Sequence, residues 1–209
     1  MKKIIIKKYN NLNNLSQECA NQIISTVKNK KKITLVLPGG KSPKQLIKNL
    51  HKRNLPSNIK LILSDERLTS KKNKQNSEML KNNFPSYNKK NFISIFDKKR
   101  ISNFAIYNKA LPKVIDICVL GIGEDGHVAS LFEKEIQHSV SSRLVIVKKK
   151  EEDYFRLSLS LDYISSSKKI ILLINNKKKL NIVLKKKSKI LNKIIKKHDK
   201  VIECFAFSR

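Results

Sequence analysis

Short apolar runs recur along the chain and predict β-strands. Runs of Val, Ile, Leu and Phe that are bounded by polar or turn-forming residues are typical of buried strands. We place strands at Ile4–Ile6, Ile33–Leu37, Ile59–Leu63, Phe92–Ile95, Ile115–Leu120, Leu144–Val147, Phe155–Leu161, Ile170–Ile174 and Val201–Phe207. Between most of these runs the apolar spacing changes to that of helices.

The first helix is predicted over Leu12–Lys30, where apolar residues recur at positions 12, 15, 19, 23 and 27 after an N-cap at Asn10 or Asn11. Pro43 suits the first position of a second helix and Ser42 its cap, so this helix is predicted to reach about His51. Further helices are predicted over Asn76–Lys81, Phe104–Leu111, Gly126–Glu133, 177–186 and 188–198.

The alternation of strands and helices indicates an α/β protein with a mostly parallel sheet flanked by helices. The chain has 209 residues, which is enough for one well-packed domain and short for two. No linker or repeat divides it, so we expect a single domain over residues 1–209. In such sheets the functional site lies beyond the carboxyl ends of the strands.

The five glycines of the chain are confined to two loops, each of which follows an apolar run. Gly39 and Gly40 lie in the first loop, and Gly121, Gly123 and Gly126 lie in the second. Glycine permits positive φ angles and close approach of the backbone. Tight strand-to-helix turns would explain the glycines alone, but the second loop also contains Glu, Asp and His, which turns rarely need together. We therefore expect this loop to be functional.

The formal net charge of +30 arises from 46 Lys and Arg against 16 Asp and Glu. Only six of the cations are Arg, Trp is absent, and lysine is spread over the whole chain. Nucleic-acid surfaces instead use clustered Arg and aromatic residues. Because Lys, Asn and Ile all have A/T-rich codons, we favour nucleotide bias at solvated positions. The charge predicts weak, salt-sensitive adhesion to polyanions and no specific nucleic-acid partner.

The cysteines and the hydropathy bear on the cellular compartment. Cys19, Cys118 and Cys204 lie far apart, without the spacing of a CxxC or metal-ligand motif. No apolar stretch approaches the roughly 20 residues that cross a bilayer. The apolar segment near Met1 is too short for a signal peptide. We expect a reduced, cytoplasmic protein without a membrane partner.

Two polar segments at predicted strand ends are candidates for ligand binding. The segment Gly39–Pro43 presents backbone N–H groups, a hydroxyl and an ammonium at a helix start, which favours an anion. It lacks the glycine patterns of nucleotide-binding loops, so a lone phosphate is the better interpretation, and a simple capped helix start is equally compatible. The segment Asp65–Arg67 could position a polyol or form a strand-end ion pair.

The candidate for proton transfer is His127, which follows Asp125 in the glycine-rich turn. An imidazole can take a proton from water near neutral pH. A metal site would need a second His or Cys at ligand spacing, and none is near. Ser130 does not lie in a GxSxG nucleophile elbow. Water activation by His127 is therefore favoured over a metal site and over a nucleophilic Ser130.

In combination, these segments resemble the motifs of 6-phosphogluconolactonases. The segment Gly121–Phe132 is similar to the signature of that family. Gly39–Pro43 is similar to its GGSTP-like loop, and Asp65–Arg67 to its DER strand end. Arg156–Leu159 resembles its RxTL strand, and Leu172–Lys179 its strand with a Gly-x-x-Lys turn. The order and spacing match over most of the chain.

The resemblance implies a Rossmann-like fold of the sugar-phosphate isomerase type. It also implies hydrolysis of 6-phosphoglucono-1,5-lactone in the oxidative pentose phosphate pathway, without metal or cofactor. His127 would be the general base, with Asp125 as the second catalytic residue. The substrate-binding residues would be Gly39, Gly40, Lys41, Ser42, Asp65, Arg67, Gly123, Arg156 and Lys179. Since a lactone is a reactive ester, an oriented water and a stabilised oxyanion could suffice.

The chain departs from the family pattern at four places. Lys41 replaces a serine, Asn176 replaces a glycine, Asn76-Ser77 inverts a Ser-Asn pair, and no Pro-Gly follows Leu131-Phe132. Two other functions stay open: a glucosamine-6-phosphate deaminase of the same superfamily, and a non-catalytic protein that binds polyanions or nucleic acid. Deaminases continue their loop with an AFNEP-like stretch, which this chain lacks. We expect a small sugar-phosphate lactone as partner, and a monomer or small homo-oligomer.

Overall fold

Ten strands, six α-helices and a short 3₁₀ helix (Lys72–Lys74) have bounds within a computed structural model, which describes residues 3–28, 30, 32–56, 58–84, 92–93, 108–133 and 142–208. The strands are β1 (Ile4–Tyr9), β2 (Ile33–Leu37), β3 (Ile59–Leu63), β4 (Asp65–Leu68), β5 (Phe92–Ile93), β6 (Ile117–Leu120), β7 (Leu144–Lys148), β8 (Phe155–Leu159), β9 (Lys169–Ile174) and β10 (Ile202–Phe207). The helices are α1 (Leu12–Val27), α2 (Lys44–Lys52), α3 (Asn76–Asn83), α4 (Leu161–Ser165), α5 (Lys177–Leu184) and α6 (Lys189–Lys197).

The central sheet has seven strands in the order β1-β10-β9-β6-β2-β3-β5, and every pairing is parallel. Successive side chains of a strand point to opposite faces, and here both faces are covered. Val36 and Cys118 belong to one hydrophobic cluster, and Leu35 and Val119 to another. The predicted α/β class with a mostly parallel sheet is confirmed. Among the described helices, none is long and apolar enough to span a bilayer.

A second sheet of three antiparallel strands, in the order β4-β8-β7, was not predicted. The sequence predicts Asp65–Arg67 as the end of the preceding strand, but these residues form β4 together with Leu68. The chain changes sheets at Ser64, whose N–H donates to Leu37 O of β2 at 2.9 Å and whose carbonyl accepts from Leu159 N of β8 at 2.8 Å. Ser64 is therefore the point where the two sheets meet.

The helix predicted over Gly126–Glu133 is wrong. These residues form turns and an isolated antiparallel bridge between Val128 and Leu131. Ala129 has a φ of 55°, which lies in the left-handed region and is incompatible with a right-handed helix.

Other predicted boundaries differ by a few residues. Helix α1 ends at Val27, β8 ends at Leu159, and the next residues form α4. Ile95 and most of the helix predicted over Phe104–Leu111 lie outside the described residues, although residues 108–110 are helical.

Candidate active site

One pocket lies at the carboxyl ends of the central strands and is closed on one side by the small sheet. Its lining includes every predicted site residue except Asp125: Gly39, Gly40, Lys41, Ser42, Asp65, Arg67, Gly123, His127, Arg156 and Lys179. The sequence interpretation missed five further lining residues: Pro38, Ser64, Gly121, Ile122 and Ala129. The pocket thus combines loops after β2, β3 and β6 with side chains from β4, β8 and α5.

The loop after β6 holds His127 against Asp125. Gly123 N donates to His127 O at 2.8 Å, which folds the loop back on itself. A Cβ at Gly123 would lie 2.2 Å from His127 Nδ1 and 2.4 Å from Asp125 Oδ1, so only glycine leaves room for this pair. His127 Nδ1 lies 2.5 Å from Asp125 Oδ1. Asp125 is therefore a partner of His127 and lines a neighbouring cavity instead of the main pocket.

This contact determines which imidazole nitrogen is available for chemistry. With Nδ1–H donating to Asp125, Nε2 is the acceptor. Partial burial raises the pKa of Asp125, but the charge and hydrogen bonds of His127 outweigh it and hold this pKa below its ordinary value. The carboxylate thus stays ionised. The imidazole ring also packs on Phe132, with 4.6 Å between ring centroids. The pair is oriented to accept a proton at Nε2.

Asp65 takes part in a buried network of hydroxyl groups. It is 5% exposed and accepts from Ser130 Oγ at 2.8 Å and from Ser64 Oγ at 3.1 Å. Ser130 is fully buried, and its N–H donates to Ser158 Oγ at 3.2 Å. Ser130 therefore ties the loop after β6 to both β4 and β8, which is a structural role and not that of a nucleophile.

Two arginines from adjacent strands face the same pocket. Arg67 of β4 and Arg156 of β8 are direct partners in the antiparallel register. Like charges in such positions repel each other, so the arrangement favours an anion between or beside them. Arg67 Nη1 donates to Lys74 O at 2.8 Å, and its Nε is buried without a hydrogen-bond partner among the described residues.

Arg156 is only 8% exposed and forms an ion pair with Glu152, a residue that the motifs did not indicate. Burial lowers the pKa of Arg156, but the hydrogen bonds and charge of Glu152 more than offset it and raise this pKa. Conversely, the hydrogen bond from Arg156 lowers the pKa of Glu152. Both groups are charged at neutral pH.

The loop after β2 is fixed by Asn76. The Asn76 amide accepts from Gly40 N at 3.0 Å and donates to Asp65 O at 3.0 Å. A Cβ at Gly39 would lie 2.0 Å from the Asn76 side chain, so glycine allows this contact. The N–H of Gly40, which the sequence interpretation assigned to an anion, is therefore already used.

The carboxylate of Glu66 anchors the start of α3 and with it Asn76. Glu66 accepts from the backbone N–H groups of Arg67, Asn76 and Ser77, each at 2.7 Å. Burial is the main influence on the pKa of Glu66 and raises it, although these hydrogen bonds act in the opposite direction. Glu66 and Asn76 belong to segments that resemble family motifs, Asp65–Arg67 and Asn76-Ser77, but the motifs do not indicate that these two residues support the pocket.

The interaction of Ser42 also differs from the prediction. It does not cap α2, whose N-cap is Pro43 without a side-chain hydrogen bond. Instead the Ser42 hydroxyl accepts from Lys179 Nζ at 3.3 Å. The Asn176 side chain caps α5 by accepting from Lys179 N at 2.9 Å. Lys179 lines the pocket, whereas the neighbouring Lys177 and Lys178 are exposed.

Among the described residues, no three His, Cys, Asp or Glu side chains are grouped as they would be to hold a metal ion. The three cysteines are buried free thiols. The polar side chains that line the pocket are those of His127, Arg67, Arg156, Lys41, Lys179, Asp65, Ser42 and Ser64, and Asp125 orients His127 from the neighbouring cavity.

Curated proteins of similar sequence include 6-phosphogluconolactonases. The curated 6-phosphogluconolactonase of Helicobacter pylori strain 26695 is 29% identical over 170 residues, which is 77% of this chain and 75% of the relative. The enzyme of that name from Thermotoga maritima is 27% identical over 171 residues, which is 73% of each chain.

Solved structures share the fold. A 6-phosphogluconolactonase from Shewanella baltica superposes with a TM-score of 0.83 at 21% identity, covering 99% of both chains. A monomeric glucosamine-6-phosphate deaminase superposes with a TM-score of 0.79 at 21% identity, covering 99% of this chain and 97% of the other.

The model of the family described as Glucosamine-6-phosphate isomerases/6-phosphogluconolactonase matches residues 8–197. Because this match covers most of the chain, the protein belongs to the family of glucosamine-6-phosphate isomerases and 6-phosphogluconolactonases.

Proposed function

We propose that the protein hydrolyses 6-phosphoglucono-1,5-lactone to 6-phosphogluconate. The observation that carries the proposal is His127, which is oriented by Asp125 and lies in a pocket that also contains Arg67, Arg156 and Lys179. A proton acceptor beside several cations suits the hydrolysis of a phosphorylated ester. The curated relatives bear the name of this enzyme, which supports the proposal.

The reaction requires one water molecule and no covalent intermediate. His127 Nε2 accepts a proton from water as the water oxygen forms a bond to C1 of the lactone. The bond between C1 and the ring oxygen then breaks, and the protonated imidazole returns the proton to that oxygen. Asp125 stabilises the transient imidazolium through Nδ1. The ring opens to a carboxylic acid, which ionises at neutral pH.

The cations of the pocket hold the phosphate of the substrate. Arg67 and Arg156 extend from the small sheet, and Lys179 reaches in from α5 beside Ser42. Charge-assisted hydrogen bonds to phosphate are among the strongest that a protein makes. They fix one end of the substrate, so that the lactone carbonyl is presented to water in a defined orientation.

The direct test is rapid assay of the purified protein on freshly made lactone, corrected for spontaneous hydrolysis. We expect acceleration that is insensitive to EDTA. A folded protein that gives no acceleration would refute the proposal. Release of ammonia from glucosamine-6-phosphate would indicate the deaminase activity instead.

The pKa of Lys179 predicts how phosphate binding depends on pH. Burial lowers this pKa below the ordinary value of lysine, although Glu124 partly opposes the shift. As pH rises through the lowered pKa, the ammonium group loses its charge and binding weakens. We expect the affinity for 6-phosphogluconate, measured by calorimetry between about pH 8 and 10, to fall with increasing pH.

The control for this pH dependence is Lys179→Arg. Arginine keeps its charge over the whole range, so the decline should be absent or much smaller in this variant. An equal decline in both proteins would show that another group is responsible.

Lys41, which replaces the family serine, is expected to add charge to the phosphate site. It is exposed but lines the pocket next to Gly40. A cation at a helix start is unfavourable unless an anion is bound. Lys41→Ser should raise the KM for the phosphorylated lactone by roughly three-fold, the scale of a solvated charge contact, and leave turnover of unphosphorylated gluconolactone unaltered. A KM that is unchanged at low and moderate salt would place the Lys41 side chain in solvent.

A further inference from the structure

The hydrogen-bonding edge of Arg156 is occupied by a carboxylate from the protein itself. Glu152 accepts from Arg156 Nε through Oε2 at 2.7 Å, and its Oε1 accepts from Nη2. These two donors form the fork through which a guanidinium binds two oxygens of a phosphate. The remaining side, at Nη1, lies 3.4 Å from Ser130 Oγ. In the free protein the fork of Arg156 is therefore already filled by an anion.

The two partners differ in their freedom to move. Arg156 lies on β8, its guanidinium carbon is 5.4 Å from the centroid of Phe132, and its side chain is 10% exposed. Glu152 lies on the 149–154 turn between β7 and β8, and its side chain is 17% exposed. The backbone of this turn is held independently, because Glu152 N donates to Lys149 O at 3.1 Å. Glu152 also has a side-chain hydrogen bond with Tyr154. Release of Arg156 therefore requires the Glu152 side chain to rotate away from both partners, whereas the backbone of the turn and Arg156 can stay in place.

We propose that Glu152 competes with the anionic group of the ligand for Arg156, and that the bound ligand displaces it. The identification of that group as a phosphate rests on the proposed function, whereas the competition itself does not. A phosphate dianion offers two oxygens in the same geometry with more charge than a carboxylate. A monoanionic carboxylate offers no more than Glu152 already provides. Glu152 thereby makes the pocket selective for dianions.

The competition lowers the apparent affinity for every anion. The apparent affinity of a site falls in proportion to the fraction of molecules in which the site is available. The pair is bidentate and mostly buried, so it is more persistent than a solvated ion pair. Removal of the competing charge should therefore tighten phosphate binding by roughly three- to ten-fold.

The test is the affinity for inorganic phosphate, measured by calorimetry at about pH 8, where the dianion predominates, and at roughly 0.15 M salt. Glu152→Gln keeps the size of the side chain and removes its charge, and we expect tighter binding of the predicted size. The matched control is Glu151→Gln, which removes the same charge one residue away. Glu151 is exposed and pairs with Lys149 at 3.7 Å, so its substitution should change the affinity by less than about two-fold.

Three results would overturn the inference. Unchanged binding in Glu152→Gln would show that the carboxylate does not compete. Weaker binding would show that Glu152 orients Arg156 for the ligand. Equal tightening in Glu151→Gln would attribute the effect to overall charge. Because phosphate binding needs no turnover, absence of lactonase activity in the same preparation would refute the proposed function alone.

Discussion

Replacement of His127 by alanine should lower the kcat for lactone hydrolysis by roughly 10²-fold or more, the usual scale for a lost general base. The imidazole is the group in the pocket that is oriented by a carboxylate, through the 2.5 Å contact with Asp125. Without it, no acceptor remains at that position for the proton of the attacking water. The measurement is the initial rate on fresh lactone, with the spontaneous rate subtracted.

A matched control for this variant is His51→Ala. His51 lies near the end of α2, packs against Phe84 with 5.2 Å between ring centroids, and does not line the pocket. It should retain turnover close to that of the unmodified protein. If a folded His127→Ala variant also retained near-normal turnover, His127 would have a structural role and the proposed mechanism would be wrong.

Replacement of Arg156 by alanine should raise the KM for the lactone by roughly 10- to 100-fold. Hydrogen bonds that involve a charged group contribute about 1.5–3 kcal/mol each, and about 1.4 kcal/mol corresponds to ten-fold in affinity. The same change leaves Glu152 and the buried Asp65 without their cationic neighbour. We therefore also expect a lower midpoint of chemical denaturation.

The control for Arg156→Ala is Arg53→Ala. Arg53 follows the end of α2, where its side chain donates to Asn21 Oδ1 at 2.8 Å and to Asn49 O at 3.3 Å. The substitution Arg53→Ala removes the same formal charge as Arg156→Ala, but at a position outside the pocket, so the KM should change by less than about two-fold. Equal effects of the two substitutions would mean that overall positive charge attracts the substrate, and that no defined phosphate site exists.

The central sheet could be predicted from the sequence because its strands are short, continuous apolar runs. Strand β4 could not, since Asp65–Leu68 shows neither an apolar run nor alternation. Its conformation depends on pairing with β8 and on the burial of Glu66 at the start of α3. Likewise, Val128, Leu131 and Phe132 have helical spacing, but the left-handed backbone of Ala129 redirects the chain. Tertiary contacts override local pattern at both places.

The candidate site was predictable only where a residue belongs to a recognisable motif. The glycine-rich loop and its histidine stand out from the rest of the chain, and the structure places them in one pocket with the predicted cations. Glu152 does not stand out, because it is one of three consecutive acids after a run of lysines. Asn76 belongs to the recognisable Asn76-Ser77 pair, but its role could not be predicted, since that role depends on Gly40, which is 36 residues away in the chain.

The two sheets, which meet at Ser64, carry different parts of the candidate site. On the proposed function, the parallel sheet carries the loop with the general base His127, whereas the antiparallel sheet carries Arg67 and Arg156, which bind the anionic group of the ligand. The two parts are coupled, because Phe132 packs against the His127 ring and also lies beside the Arg156 guanidinium. A substitution in the hairpin of β7 and β8 is therefore expected to reach the histidine through Phe132, even where it leaves the Asp125 contact of His127 unchanged.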